Sequence, residues 1–446
     1  MNQNTNKEDS VMPDKLALLG YVLIISFMWL LVKKKLSALS ALVVVPLIIG
    51  IVGGFGFQLG DFALSGIESV ASTSALMLFA VLYFSIMIST GMFDPIVNII
   101  VRWIKGDPLK LLVGTAVLAL CISLDGDSVT TYVICCTALV PIYDRMKVNK
   151  LYLASLAVMA NSIPNVFPWG GPTARLLAAL NLDVADVMAY MYPTLAVGAV
   201  YVVVISYIMG RMQRKKVGYT KFDEAEITDL IEKATGDNGE YKRPNRMIFN
   251  WILTIAAVIL LVVNIYPAAV LFTIATAIAL IVNFDRKTER AIIEKCASDV
   301  LPVVSLVMAA GVFMGVISES GMASAIANHL ISLIPESMSS HFGFIVSILS
   351  VPLLFVSSND AFYYGIVPVF AETGAAYGFT TLQIGLASLC GQAFRLLSPT
   401  VASIYVLLQM TDVNMVEWQI HTAKWAIGIF VIFCVMLFFV LGAVPF

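Results

Sequence analysis

Runs of about twenty apolar residues recur along the chain, at 16–32, 38–54, 73–91, 187–209, 248–264 and 425–446. A helix of that length spans about 30 Å, the hydrocarbon thickness of a bilayer. With 446 residues, 59% of them hydrophobic and 13% charged, and a mean hydropathy of +0.90, the chain has more apolar surface than a soluble core can hide. Lipid is its solvent, and a backbone in lipid must satisfy its own hydrogen bonds. The expectation is an all-α polytopic membrane protein with about ten transmembrane helices plus shorter segments.

A formal net charge of −2 with 27 Lys and Arg offers no basic field for nucleic acid. The six cysteines lie almost entirely in apolar segments without CxxC spacing, which suits packing rather than metal or redox work. The first residues are polar and lack the pattern of a cleaved signal, so the first helix is expected to be retained. Lys and Arg cluster at 33–35, 102–110, 145–150, 211–216, 242–246 and 286–295, which places those loops in the cytoplasm. Connections near 55–70, 181–186, 335–342 and 371–380 hold no Lys or Arg and are expected outside. The first span then runs inward and the span at 248–264 runs outward.

The second half also repeats the first. Thr90-Gly91-Met92 with Ile96 falls on Ser320-Gly321-Met322 with Ile326 at a shift of 230, and Pro168 falls on Pro399 at 231. Asp127 falls near Asp360 at 233. One nearly constant shift combined with opposite orientation predicts two inverted repeats, residues 1–210 and 248–446, joined by a polar cytoplasmic linker at 211–247 with room for a short surface helix.

Each half interrupts its apolar core with polar residues. In the first, Asp125-Gly126-Asp127-Ser128-Val129-Thr130-Thr131 divides a segment at about 109–141 whose two ends both read as cytoplasmic. Arms of about 15 residues are too short to cross, so this reads as a re-entrant hairpin with its tip near mid-membrane. Ser357-Ser358-Asn359-Asp360 divides about 342–370 in the same way from outside. Behind each hairpin a helix is broken, over 161–173 and from Gly391 to Thr400, where proline frees backbone carbonyls and half-helix amide ends.

An ionised side chain at this depth costs at least about 2.5 to 3.5 kcal/mol on insertion scales, yet Asp125, Asp127, Asp360, Arg175 and Arg395 all lie in or beside these breaks. Arg395 and Arg175 suit a carboxylate, although Arg175 near a helix end has snorkelling as its alternative. Asp125, Asp127 and Asp360 are candidates for proton or cation coupling. Ser128, Thr130, Asn165, Gly170, Gly171, Thr173, Ser357, Ser358, Asn359, Ser398 and Thr400 are candidates for binding substrate. The simpler alternative is that these groups only pack the bundle. Asp94, Asp107, Asp183 and Asp186 flank spans and are expected to be solvated, and the aromatic run from Trp418 to Trp425 reads as an interfacial belt.

At Ser123-Leu124-Asp125-Gly126-Asp127, at Pro168-Trp169-Gly170-Gly171-Pro172-Thr173-Ala174-Arg175 and at Leu397-Ser398-Pro399, the chain resembles the CitMHS family of citrate transporters. Lys35-Leu36-Ser37-Ala38-Leu39 and Lys105-Gly106-Asp107-Pro108 extend the likeness over essentially the whole length. The resemblance implies a multi-pass protein of the cell inner (cytoplasmic) membrane and a homodimer with a scaffold part and a moving part. It implies proton-driven uptake of citrate complexed with Mg²⁺ or Ca²⁺, the metal entering as part of the substrate, with no cofactor. By motif it carries binding roles to Asp125, Asp127, Thr173, Asn359, Asp360 and Ser398. The chain departs from the family pattern at Gly391-Gln392-Ala393-Phe394-Arg395, where Gln-Pro and then His are expected, and a fixed charge at Arg395 favours a more anionic or metal-free substrate. A cation antiporter, another carboxylate carrier, and an intramembrane hydrolase using Asp125 and Asp127 as paired carboxylates are the competing readings.

Overall fold

The computed structural model describes residues 5–126, 128–220, 222, 224–235, 239–263, 265–333, 339–399 and 401–446. Those residues form helices and no strand. The first half runs α1 (Thr5–Val32), α2 (Ala38–Val52), α3 (Gln58–Ser69), α4 (Ala71–Ser89), α5 (Asp94–Ile104), α6 (Pro108–Ile122), α7 (Ser128–Arg145), α8 (Leu151–Ser162), α9 (Gly171–Leu180) and α10 (Val184–Val217). After α11 (Glu224–Thr235) the second half runs α12 (Met247–Val262), α13 (Ala268–Asn283), α14 (Arg286–Glu319), α15 (Met322–Leu333), α16 (Phe342–Val356), α17 (Val367–Ala376), α18 (Thr381–Leu389), α19 (Ala402–Thr411) and α20 (Met415–Cys434). Among the described residues, six helices are long and apolar enough to cross a membrane, and five shorter ones are also apolar. The all-helical membrane fold expected from the sequence is what the chain forms.

Elements recur in order. Starts at 38 and 268 give a shift of 230, and starts at 171 and 402 or at 184 and 415 give 231. Contacts recur as well. The indole N–H of Trp251 on α12 donates to the Met92 carbonyl at 3.0 Å, while Tyr21 on α1 meets His329 on α15 at 2.9 Å. The first helix of each half therefore reaches across to the other half, α1 to α15 and α12 to the turn before α5.

The tightest crossing joins α3 to α14. A Cβ at Gly66 would strike the Gly311 carbonyl, and one at Gly315 would strike the carbonyl of Phe62. Gly311 and Gly315 are four apart on one helix face, the small-residue spacing that lets membrane helices touch backbone to backbone. Elsewhere, Asn250 donates to Thr90 at 3.2 Å and pairs with Asn283 at 2.8 Å, polar contacts that lipid cannot replace.

Both hairpins form. In the first, α6 ends in a 3-10 turn, Ser123–Asp125, and Gly126 takes φ +80, a left-handed turn that glycine adopts without strain. The second descends α16, turns at Ser357 and returns through a π-helical stretch, Ala361–Ile366, into α17. Each descending arm of 15 residues rises about 22 Å, short of the hydrocarbon thickness.

The expected surface helix of the linker is α11, held to the first hairpin by Arg145–Glu226 at 3.1 Å. Two flanking carboxylates correct the solvated reading. Asp107 is only 5% exposed, accepts from Arg214 Nε at 2.9 Å and caps the Leu109 amide, and Asp94 pairs with Lys242 at 2.8 Å. Both flank spans in the sequence, but the C-terminal turn of α10 and the residues that follow it fold back over them and bring Arg214 and Lys242 with them. Asp183 and Asp186 are exposed, as expected. Trp418 is fully buried, so the aromatic run is partly core and not simply a belt.

Candidate functional site

The two hairpin tips and the two helix breaks come together. Behind the first tip, Trp169 donates its indole N–H to the Leu124 carbonyl at 2.8 Å, which ties the first break to the first hairpin. Its ring stacks on Phe84 and Phe167 at 5.3 Å and meets Phe272 edge-on at 5.0 Å. The break is a sharp one. A Cβ at Gly170 would collide with the Asn165 carbonyl, and Thr173 turns its hydroxyl back to the Val166 carbonyl at 2.7 Å. Ser398 does the same work in the second half, donating to the Phe355 carbonyl at 2.5 Å, so break and hairpin are joined there too.

A polar trio lies at the centre of each half. Fully buried Asn161 accepts from Ser128 at 2.8 Å and from Tyr132 at 3.5 Å, and its amide donates to Ser123 at 3.0 Å. A shift of 231 carries Asn161, Ser128 and Tyr132 onto Gln392, Asn359 and Tyr363. Those residues are bonded too, since Gln392 Nε2 donates to Asn359 Oδ1 at 3.3 Å and to the Tyr363 hydroxyl at 2.8 Å. An amide from the broken helix thus grips a tip residue and a tyrosine one turn further along the hairpin, twice. Arg395, 6% exposed, adds a donor in the second half through Nε to Asn359 at 3.2 Å.

The halves meet through charge. Arg175 on α9 donates from Nε to Asp360 Oδ1 of the second tip at 2.5 Å, and from a terminal nitrogen to the Gly171 carbonyl at 2.8 Å. Arg175 is therefore an internal partner of Asp360 and does not snorkel. The first turns of α9 and α19 have no side-chain cap among the described residues, their N-cap positions being Gly170 and Val401. That leaves amide N–H groups at the positive ends of two helix dipoles.

Of the candidate residues, Asp125, Asn165, Thr173, Ser357, Arg395 and Ser398 are buried, and Ser128, Thr130, Gly171, Ser358, Asn359 and Asp360 are half-buried. Ser358 accepts from the Ala361 amide at 3.1 Å and Ser357 donates to the Leu353 carbonyl at 2.6 Å, so both shape the tip. Asp127 and Thr400 lie outside the described residues. Reading the sequence missed Asn161, Gln392, Tyr132 and Tyr363. The signal was available, because the shift of 231 already superposes amide on amide and tyrosine on tyrosine.

Two polar-tipped hairpins facing two broken helices, in a chain dissolved in lipid, define a secondary membrane carrier. The CitMHS family model, described as "Citrate transporter", matches residues 21–391. A Bacillus subtilis (strain 168) protein named "Citrate transporter" is 44% identical over 414 residues, covering 93% of this chain and 96% of that one. Another from the same organism, named "Mg(2+)/citrate complex secondary transporter", is 40% identical over 414 residues, with 92% and 95% covered. The crystal structure of the Alcanivorax borkumensis YdaH transporter superposes with a TM-score of 0.57 over 96% of this chain and 98% of that one, at 12% identity, a likeness of fold alone. The chain belongs to the CitMHS family of citrate transporters. It is a multi-pass cell-membrane carrier and not an enzyme.

Proposed function

We propose that this chain imports citrate, as a complex with Mg²⁺ or Ca²⁺, by proton symport and alternating access, working as a homodimer. The observation that carries the reading is the doubled amide, tip and tyrosine constellation, with Arg395 inside it, at the place where the two halves meet. Arg395 and the starts of α9 and α19, which no described side chain caps, supply positive ends for carboxylates. The relatives named for citrate and for its Mg²⁺ complex support the substrate. Because Asp360 is already balanced by Arg175, coupling falls chiefly to Asp125 and Asp127, while Asp360 sets the charge of the second tip. Residues 1–210 and 248–446 act as inverted halves, so rocking one tip-and-break unit would expose the shared site to either face.

Radiolabelled citrate uptake into proteoliposomes under an imposed pH gradient, with Mg²⁺, Ca²⁺ or chelator, tests this. Metal-dependent, gradient-driven uptake is expected. Uptake that persists in chelator would favour metal-free citrate or another carboxylate, the second reading, for which the fixed charge of Arg395 speaks. Cation exchange without any organic anion would overturn both in favour of an antiporter.

A further inference from the structure

We propose that the side-chain oxygen of Gln392 accepts the hydroxyl of a hydroxy-polycarboxylate, so that this residue separates citrate from carboxylates without a hydroxyl. The proposal rests on the transport reading above and adds a specificity determinant to it. Gln392 is 2% exposed. The orientation of its amide follows from its neighbours. Arg395 Nε can only donate, and it donates to Asn359 Oδ1. The same oxygen receives Gln392 at 3.3 Å, so Gln392 must present its NH₂ group there, and its second N–H goes to Tyr363 at 2.8 Å. Both hydrogens are then used, and Gln392 Oε1 is buried with no hydrogen-bond partner among the described residues.

The first half shows what is different. There the Asn161 oxygen accepts a hydrogen bond from the Ser128 hydroxyl at 2.8 Å, and its nitrogen donates to Ser123 at 3.0 Å, so the amide is satisfied on both sides. In the second half the tip residue is Asn359, which turns an oxygen rather than a hydroxyl hydrogen toward the amide. The exchange removes the internal donor and leaves one acceptor open, beside the arginine that attracts carboxylates. A buried acceptor left unpaired is costly, and such exceptions call for a ligand or a function. Ionised citrate carries carboxylates, which only accept, and one hydroxyl, which donates. On the organic anion itself, that hydroxyl is the group able to satisfy Gln392. Sites built to bond a hydroxyl reject analogues that lack it far more strongly than apolar pockets reject a missing methylene.

The experiment compares unlabelled citrate with tricarballylate, which is citrate without its hydroxyl, as inhibitors of radiolabelled citrate uptake into proteoliposomes. Wild-type protein is expected to prefer citrate by roughly ten- to a hundredfold. In Gln392→Met, which keeps the length and removes the acceptor, the ratio is expected to fall toward one. A wild-type ratio near one overturns the proposal, and so does a Gln392→Met protein that keeps the wild-type ratio. If that variant does not reach the membrane, Gln392→Leu, which also removes the acceptor, takes its place, and a wild-type ratio kept by it overturns the proposal. Complete absence of citrate uptake by wild-type protein would refute the citrate reading instead. Malate against succinate, measured on both wild type and Gln392→Met as inhibitors of whichever carboxylate is carried, would still decide the role of Gln392.

Discussion

Arg175 and Asp360 are 185 positions apart in sequence and 2.5 Å apart in space. Both side chains are largely shielded, so removing one leaves the other charged and without its partner in a poor solvent. Breaking a pair of this kind costs about 3 to 5 kcal/mol, whereas replacing both members with apolar residues is often neutral. Arg175→Leu is therefore expected to lower the melting temperature of the purified protein markedly. Arg175→Leu with Asp360→Leu should regain most of that loss while uptake stays abolished. A single variant as stable as the parent would show that the pair contributes nothing to the fold. Asn161 presents a different case, because its bonds are neutral and hold the first tip. Asn161→Ala is expected to cost about 1 to 3 kcal/mol by stranding its partners. Citrate uptake should fall more steeply than the amount of protein in the membrane, and a parallel fall in both would mark it as a folding residue only.

At the scale of elements, glycine decides where helices touch. The crossing of α3 on α14 is backbone against backbone at Gly66, Gly311 and Gly315, so Gly66→Val must push the two helices apart. Overpacking of this kind costs about 1 to 3 kcal/mol or more, and thermal unfolding in detergent should register it directly. Gly170→Ala meets the Asn165 and Phe167 carbonyls, both within its own break. It should leave the melting temperature closer to wild type but displace the start of α9, and uptake should report that displacement. If Gly170→Ala transports normally, the shape of the first break does not matter to the site.

For the whole molecule, charge balance governs which substrate is accepted. Arg395 is fixed and buried, and Arg395→His would make that charge weaker and titratable. The expected outcome is a shift toward metal-bound citrate, seen as a greater loss of uptake on adding chelator than wild type shows. Unchanged metal dependence would remove Arg395 from the selectivity argument. Asp127→Asn should stop uptake while leaving membrane insertion intact, and full uptake by a well-expressed variant would refute its coupling role.

Hydropathy, loop charge and the shift near 230 were legible in the sequence because they are local or periodic properties. The bilayer punishes every unpaired backbone group, so apolar runs had to be helices, and polar residues amid them had to be hairpin tips and breaks. What only the tertiary structure decided is which polar groups satisfy one another. Asp107 and Asp94 found basic partners from α10 and the linker, Trp418 went into the core, and Arg175 crossed to the other half. The amides Asn161 and Gln392 became the centres of their halves for the same reason. A sequence states how much polarity a segment carries. The partner that neutralises it comes from wherever packing brings two elements together, here as often from the opposite half as from the next turn.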